Sequence, residues 1–272
     1  MLARITRTAA AAAAALAALL AAALPAAGST GPRTYASCDT NDGGACAGYI
    51  ASGGQFQRIT ATAYLRTPDQ YADITNGIGW QDSLRAGKAW DVIVGISTGT
   101  SPADTQYFPA FDVYHNGNLE PGAPDTNNAQ WCPAGGSCQS ASLGGGFQVG
   151  QTVTETVTYA RAEGTVNVSA RDTLGNLFKA FFPVGTGISF DQARIEAGYF
   201  KFVPPAGVTR IVRISGAGVT MYNGKQFSFH AWFAHNKELA TSTGTGAGTL
   251  QASPTDLENS GSAFNVNFQP QP

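Results

Sequence analysis

The chain has 272 residues, a formal net charge of −2 and charged side chains at only 12% of positions. That is about half the usual share of charge, so the sequence offers no basic stretch to attract a nucleic acid. Glycine is abundant at 33 residues and methionine rare at 2, a composition suited to twisted sheets and tight turns.

Residues 1–28 read as a secretory signal peptide. "MLARITR" is a positive n-region, "TAAAAAAALAALLAAAL" an apolar h-region, and "PAAGST" supplies small residues for cleavage near Ala26 to Gly28. No charged stop-transfer flank follows, and no later apolar run approaches the roughly 20 residues that span a bilayer. The expectation is one exported domain over residues 29–272, extracellular, monomeric and not membrane-bound.

Strand-like segments then follow one another. "GQFQRITATAYLR" (54–66) is rich in β-branched and aromatic residues and stops at Thr67–Pro68–Asp69. "NGIGWQDS" (76–83) is shorter, and "KAWDVIVGIST" (88–98) sets Trp90, Val92, Val94 and Ile96 on one face. "TQYFPAFDVYHNG" (105–117) contains Pro109, which points to an edge or a bulge. "QTVTETVTYARA" (151–162) alternates Val153, Glu155, Val157 and Tyr159 with four threonines. "GTVNVSARD", "NLFKAFFPV", "ARIEAGYFKFV", "TRIVRISGAGVTMY", "KQFSFHAWFAH" and "SAFNVNF" continue the series. No window after the leader shows a convincing helical apolar period. Roughly ten or eleven short strands without crossover helices predict an all-β domain of two antiparallel sheets face to face.

Cys38, Cys46, Cys132 and Cys138 form an even set, which reads as disulfides in an exported chain. Local pairs Cys38–Cys46 and Cys132–Cys138, each closing a Gly-rich loop, are favoured among the three connectivities. No C-x-x-C or C-x-x-H spacing suggests zinc; no metal and no organic cofactor are expected.

"GISTG" (95–99) matches a serine-hydrolase string, but that motif needs a strand–turn–helix elbow, and none is expected here. His230 and His235, five apart on an expected strand, project to opposite faces and cannot chelate together. Glu155 and Glu196 are more informative. Glu155 shares a face with Val153, Val157 and Tyr159, and Glu196 with Gly198, Phe200 and Phe202. A carboxyl on an apolar sheet face can act as a proton donor or activate water. The bland alternative is that each lies on a solvated face that also carries aromatics.

The order of segments resembles the secreted glutamic peptidases, the eqolisins. "AGYIASGGQFQRITATAYLRTP" resembles their opening strands, and "VGQTVTETVTYARAEGTVNVSARDTLGNLF" a later strand and its sequel. "ARIEAGYF" resembles the strand whose glutamate is the catalytic acid, and "ATSTGTGAGTLQASPTDLENSGSAFNVNF" the closing stretch. The resemblance implies a concanavalin A-like sandwich of two curved antiparallel sheets and places Glu196 on the catalytic glutamate. The partner glutamine has two registers. One sets its position near Ile93 or Val94, with no glutamine present; the other takes Trp90 as a family tryptophan and Gln106 as the glutamine, with Gln81 a weaker alternative.

Three functions follow. A hydrolase of the glutamic-peptidase type would cleave polypeptide with Glu196 and Gln106. A non-catalytic module would bind glycan or cell surface on exposed Trp80, Trp90, Tyr107 and Trp232. A glycan-cleaving enzyme would pair Glu155 with Glu196 at about 5 to 9 Å.

Overall fold

A computed structural model describes residues 33–35, 45–65, 78–87, 89–98, 106–120, 129–141, 145–199, 210–236, 239–243, 245–246, 250–255 and 263–270. The leader and Cys38 lie outside them. In chain order the first strands are β1 (Arg33–Tyr35), β2 (Ala45–Ser52), β3 (Phe56–Tyr64), β4 (Ile78–Ala86), β5 (Trp90–Thr98), β6 (Gln106–His115) and β7 (Asn118–Leu119). There follow β8 (Ala129–Cys132), β9 (Gln139–Ser140), β10 (Phe147–Gln148), β11 (Thr152–Ala160), β12 (Thr165–Asp172), β13 (Leu177–Pro183) and β14 (Gln192–Tyr199). The series closes with β15 (Arg210–Met221), β16 (Gln226–Ser228), β17 (Leu239–Thr243), β18 (Thr245–Gly246), β19 (Leu250–Pro254) and β20 (Phe264–Pro270).

These strands make two sheets. The first runs β1-β17-β2-β14-β4-β5-β6-β10, with β7 beside β6. The second runs β18-β19-β20-β15-β3-β11-β12-β13-β8-β9, with β16 beside β15. Every pairing is antiparallel except β1 with β17. This is the expected sandwich of two antiparallel sheets packed face to face.

Period-two alternation builds the core, because successive strand side chains point to opposite faces. The first sheet contributes Tyr49, Leu84, Val92, Val94, Val113 and Ile195, and the second contributes Ile59, Val153, Val157, Tyr159, Val166 and Phe264, all in one buried cluster. At β5 the expected face of Val92, Val94 and Ile96 is the buried one. Pro109 pairs with Ile96 of β5, while β10 and β7 meet β6 only nearer its two ends. Its missing N–H therefore costs no ladder hydrogen bond on that open side.

Two turns show local chemistry at work. Asn116 (φ 54°) and Gly117 (φ 80°) join β6 to β7 as a two-residue hairpin, the geometry in which both central residues take positive φ. In β15, Gly216 (φ 61°) and buried Ala217 stand where β3 has one residue, a bulge that keeps Ile214 and Val219 on the core side.

One expected strand is partly a helix. Residues Phe229–Asn236 of "KQFSFHAWFAH" are helical. The Ser228 hydroxyl accepts a hydrogen bond from the Ala231 N–H at 3.0 Å, which satisfies one of the unpaired donors at a helix start. The two histidines in this segment are thus on a helix rather than on opposite strand faces, and a spacing of five still does not align them.

Candidate functional site

Ile195 and Ala197 belong to the core cluster, so Arg194 and Glu196, which alternate with them, point away from the second sheet. Phe200 and Phe202, which suggested an inward face for Glu196, lie beyond the end of β14 and outside the described residues. Glu196 is nevertheless only 2% exposed. The acid is buried on the outer face of the first sheet.

Strand register assembles a row across that sheet. Glu196 stands opposite Gly48 of β2 on one side and Gln81 of β4 on the other, and Gln81 stands opposite Gly95, which stands opposite Ala110. Residues directly opposite in an antiparallel pair have Cβ atoms about 4.5–5.5 Å apart. Small residues flank the Glu196–Gln81 positions, Gly48 on one side and Gly95 and Ala110 on the other, and beyond Gly48 the row continues with Ser242 of β17 and Tyr35 of β1. Gly48 is required there: a Cβ on it would overlap the Ile195 carbonyl oxygen and the Glu196 backbone. Register is pinned at one end of β4 and β14, where Asp191 Oδ1 accepts from the Gly87 N–H at 3.0 Å and the Asp191 N–H donates to the Arg85 carbonyl at 2.9 Å.

The next two rows carry charge. Arg194, Ser83, Ile93 and Asp112 make one; Gln192, Arg85, Asp91 and Tyr114 make the other. Arg85 Nε lies 3.2 Å from Asp91 Oδ2, Arg194 Nη1 3.6 Å from the same oxygen, and Arg194 Nη2 3.8 Å from Glu196 Oε1. Arg85 and Asp91 are close enough to attract but not aligned for a hydrogen bond, and Asp91 Oδ1 is buried without a hydrogen-bond partner. Burial pushes the Asp91 carboxyl up to about 6 from 3.8; Arg194 and then Arg85 oppose that rise, and Glu196 adds slightly to it. Burial also raises Asp112.

Gln106 is placed elsewhere. It pairs with Gln148 at the start of β6, and β6 is three strands from β14, about 14 Å across the sheet. The structure brings Gln81, not Gln106, to Glu196. Glu155 is fully buried, and its neighbours Val153 and Val157 belong to the core between the sheets. It and Glu196 therefore face opposite sides of the first sheet, so the two-glutamate arrangement is not formed.

The aromatic platform is also corrected. Trp232 is 2% exposed and Tyr107 4%; Trp232 packs on Phe56 and Phe227 and donates through Nε1 to the Ser52 carbonyl. Trp90 stacks on His115 with ring centroids 4.1 Å apart, and His115 is in turn 3.1 Å from Glu120. Position 80 falls on β4, opposite Ala197 and Ile96. Gly95–Thr98 of "GISTG" lie in strand β5 rather than in an elbow, and Gly99 lies outside the described residues. Cys132 and Cys138 are bonded as expected. Among the described residues no group of metal-ligating side chains gathers, and no helix is long and apolar enough to cross a membrane.

Arg85, Asp91, Arg194 and Asp112 escaped the sequence reading. The available signal was parity within each strand: Arg85 with Gln81, Asp91 with Gly95, Arg194 with Glu196.

No family model matches the chain, and no curated protein matches its sequence. Among solved structures, it is similar to scytalido-glutamic peptidase with a transition state analog inhibitor, at TM-score 0.51 and 13% identity, covering 83% of this chain and 98% of that one. A structure of scytalido-glutamic peptidase with a peptide based transition state analog gives a TM-score of 0.50 at the same identity and coverage. SCP-B, a member of the Eqolisin family solved with a tripeptide, is matched at TM-score 0.43 and 13% identity. The likeness to the first two establishes a shared fold.

Proposed function

We propose that the protein is an exported hydrolase that cleaves peptide bonds, with Glu196 as general acid and base and Gln81 as the amide that steadies the oxyanion. The reading rests on one observation above all: Gln81 stands directly opposite Glu196, with only Gly48 on one side and Gly95 and Ala110 on the other as the nearest members of the row. An extended polypeptide can lie across such a floor with its scissile carbonyl over the pair. In the first step Glu196 takes a proton from a water molecule as the water oxygen attacks the carbonyl carbon. The Gln81 amide N–H donates to the oxygen on which negative charge develops. Glu196 then returns the proton to the departing amine nitrogen, and the C–N bond breaks. Arg194, 3.8 Å from the Glu196 carboxyl, orients it without entering the reaction. The two structures that share the fold are of a glutamic peptidase solved with transition state analogs, which supports a peptidase reading here.

The test is cleavage of denatured casein by the purified chain from acid to neutral pH. Glu196→Gln is expected to abolish turnover, and Gln81→Ala to lower it about 10²–10³-fold, the usual cost of one oxyanion donor. Gln106→Ala leaves it unchanged. Absence of cleavage by the unaltered protein at every pH overturns the proposal.

A further inference from the structure

We propose that the outer face of the second sheet binds an acidic polysaccharide, along a groove over β8, β12 and β13. The groove has a volume of about 520 Å³, and its lining includes Gln130, Asn167, Ser169, Arg171, Lys179 and Phe181. Register fixes their arrangement. Lys179 stands between Ser169 and Gln130 in one row, Phe181 stands opposite Asn167, and Arg171 stands opposite Leu177. Arg171 is thus the diagonal neighbour of Lys179, about 7–8 Å away at the backbone.

The charge on this face has one sign. Outward positions of its described strands carry Arg58, Arg171, Lys179 and Arg213 and no aspartate or glutamate. Arg171 and Lys179 are exposed, and neither takes part in an ion pair among the described residues. In a chain whose net charge is −2, such segregation leaves a local positive field that favours an anionic partner.

The remaining groups select among anions. Phe181 is 49% exposed and offers a flat apolar ring to the C–H face of a sugar. Asn167, Ser169 and Gln130 match sugar hydroxyls, while the guanidinium and ammonium groups match carboxylates on the same chain. A neutral glycan would leave both cations without a role. A single nucleic acid strand stacks successive bases on successive aromatics, and the groove supplies one ring. A duplex calls for a denser basic surface.

The experiment measures binding of polygalacturonate oligomers and of the same oligomers fully methyl-esterified, to the whole protein carrying Glu196→Gln so that hydrolysis plays no part. The acid form is expected to bind at least about tenfold more tightly than the ester and to weaken as salt is raised. Arg171→Gln with Lys179→Gln is expected to remove about tenfold or more of that affinity, and Phe181→Ala several-fold for both oligomers. Both substitutions are on exposed positions, and casein cleavage by the otherwise unaltered enzyme should stay unchanged. Equal affinity for acid and ester, affinity indifferent to the double substitution, no binding of either oligomer, or tighter binding of single-stranded DNA of equal charge each overturns the proposal.

Discussion

The two outer faces of the sandwich use polar residues in opposite ways. On the first sheet, both signs of charge converge: Arg85, Asp91, Arg194 and Glu196 form a partly buried chain of contacts near the small residues Gly48, Gly95 and Ala110. On the second, hydroxyls bond their cross-strand neighbours, Thr62 with Thr154 at 2.9 Å and Thr60 with Thr156 at 3.1 Å, and the cations point outward. Buried charge is costly unless held in place, and the first face holds its polar groups through mutual ion pairs. Exposed charge costs little, and the second face spreads it along a groove. One fold thereby separates the face proposed for reaction from the face proposed for attachment.

The largest expected effect breaks the comparison if it fails. Glu196→Gln and Gln81→Ala should remove casein cleavage and leave binding of polygalacturonate untouched, whereas Arg171→Gln with Lys179→Gln should do the reverse. A substitution on either face that moves both readouts would show the faces to be coupled.

Next in size is a dependence of stability on pH that belongs to the first face alone. Asp91 holds its proton more tightly folded, at about 6, than unfolded, at 3.8. Between those values the folded state binds more protons, so stability falls as pH rises through the window and levels off above it, by about 3 kcal/mol. Asp112, raised in the same direction, adds to the slope. Urea unfolding across this range should show the decline, and Asp91→Asn should flatten most of it. An unchanged slope in the variant would remove Asp91 from the account.

Gly48→Ala should cost about 1–3 kcal/mol, the usual range for overpacking, because the new methyl meets backbone rather than a mobile side chain. A melting temperature lowered by several degrees, at about 2–4 °C per kcal/mol for a domain of this size, is the measurement. Smallest of all is Thr154→Ala on the second face, expected within about 1 kcal/mol. If it proved as costly as Gly48→Ala, the threonine ladder would be more than surface dressing.

Much of the scaffold was legible in the residues. Alternation gave the buried face of β5, Pro109 gave an open edge, and Asn116–Gly117 gave a hairpin, whereas the alternation of β11 left open which of its faces is buried. The short helix was missed because Phe229, Ala231 and Phe233 alternate as a strand would, while its start depends on one serine hydroxyl. Burial of a carboxyl at Glu196 is what the sequence suggests, but the phenylalanines that suggest its face lie beyond the strand end. That position 81 falls opposite Glu196 is not legible in the sequence, because neighbours across a sheet are set by register. Register here is fixed by hydrogen bonds between residues about a hundred positions apart, such as Asp191 with Gly87. No local pattern encodes that.

The Cys132–Cys138 bond ties the short pair β8 and β9 together at the margin of the second sheet, and β8 brings Gln130 to the groove. Thiol reductants would therefore slacken one wall of the groove while the Glu196 row, on the other sheet, kept its own hydrogen-bonded frame. Surroundings that preserve such bonds, as outside the cell, would keep the proposed anchoring and the proposed cleavage together; reducing surroundings would cost the first before the second.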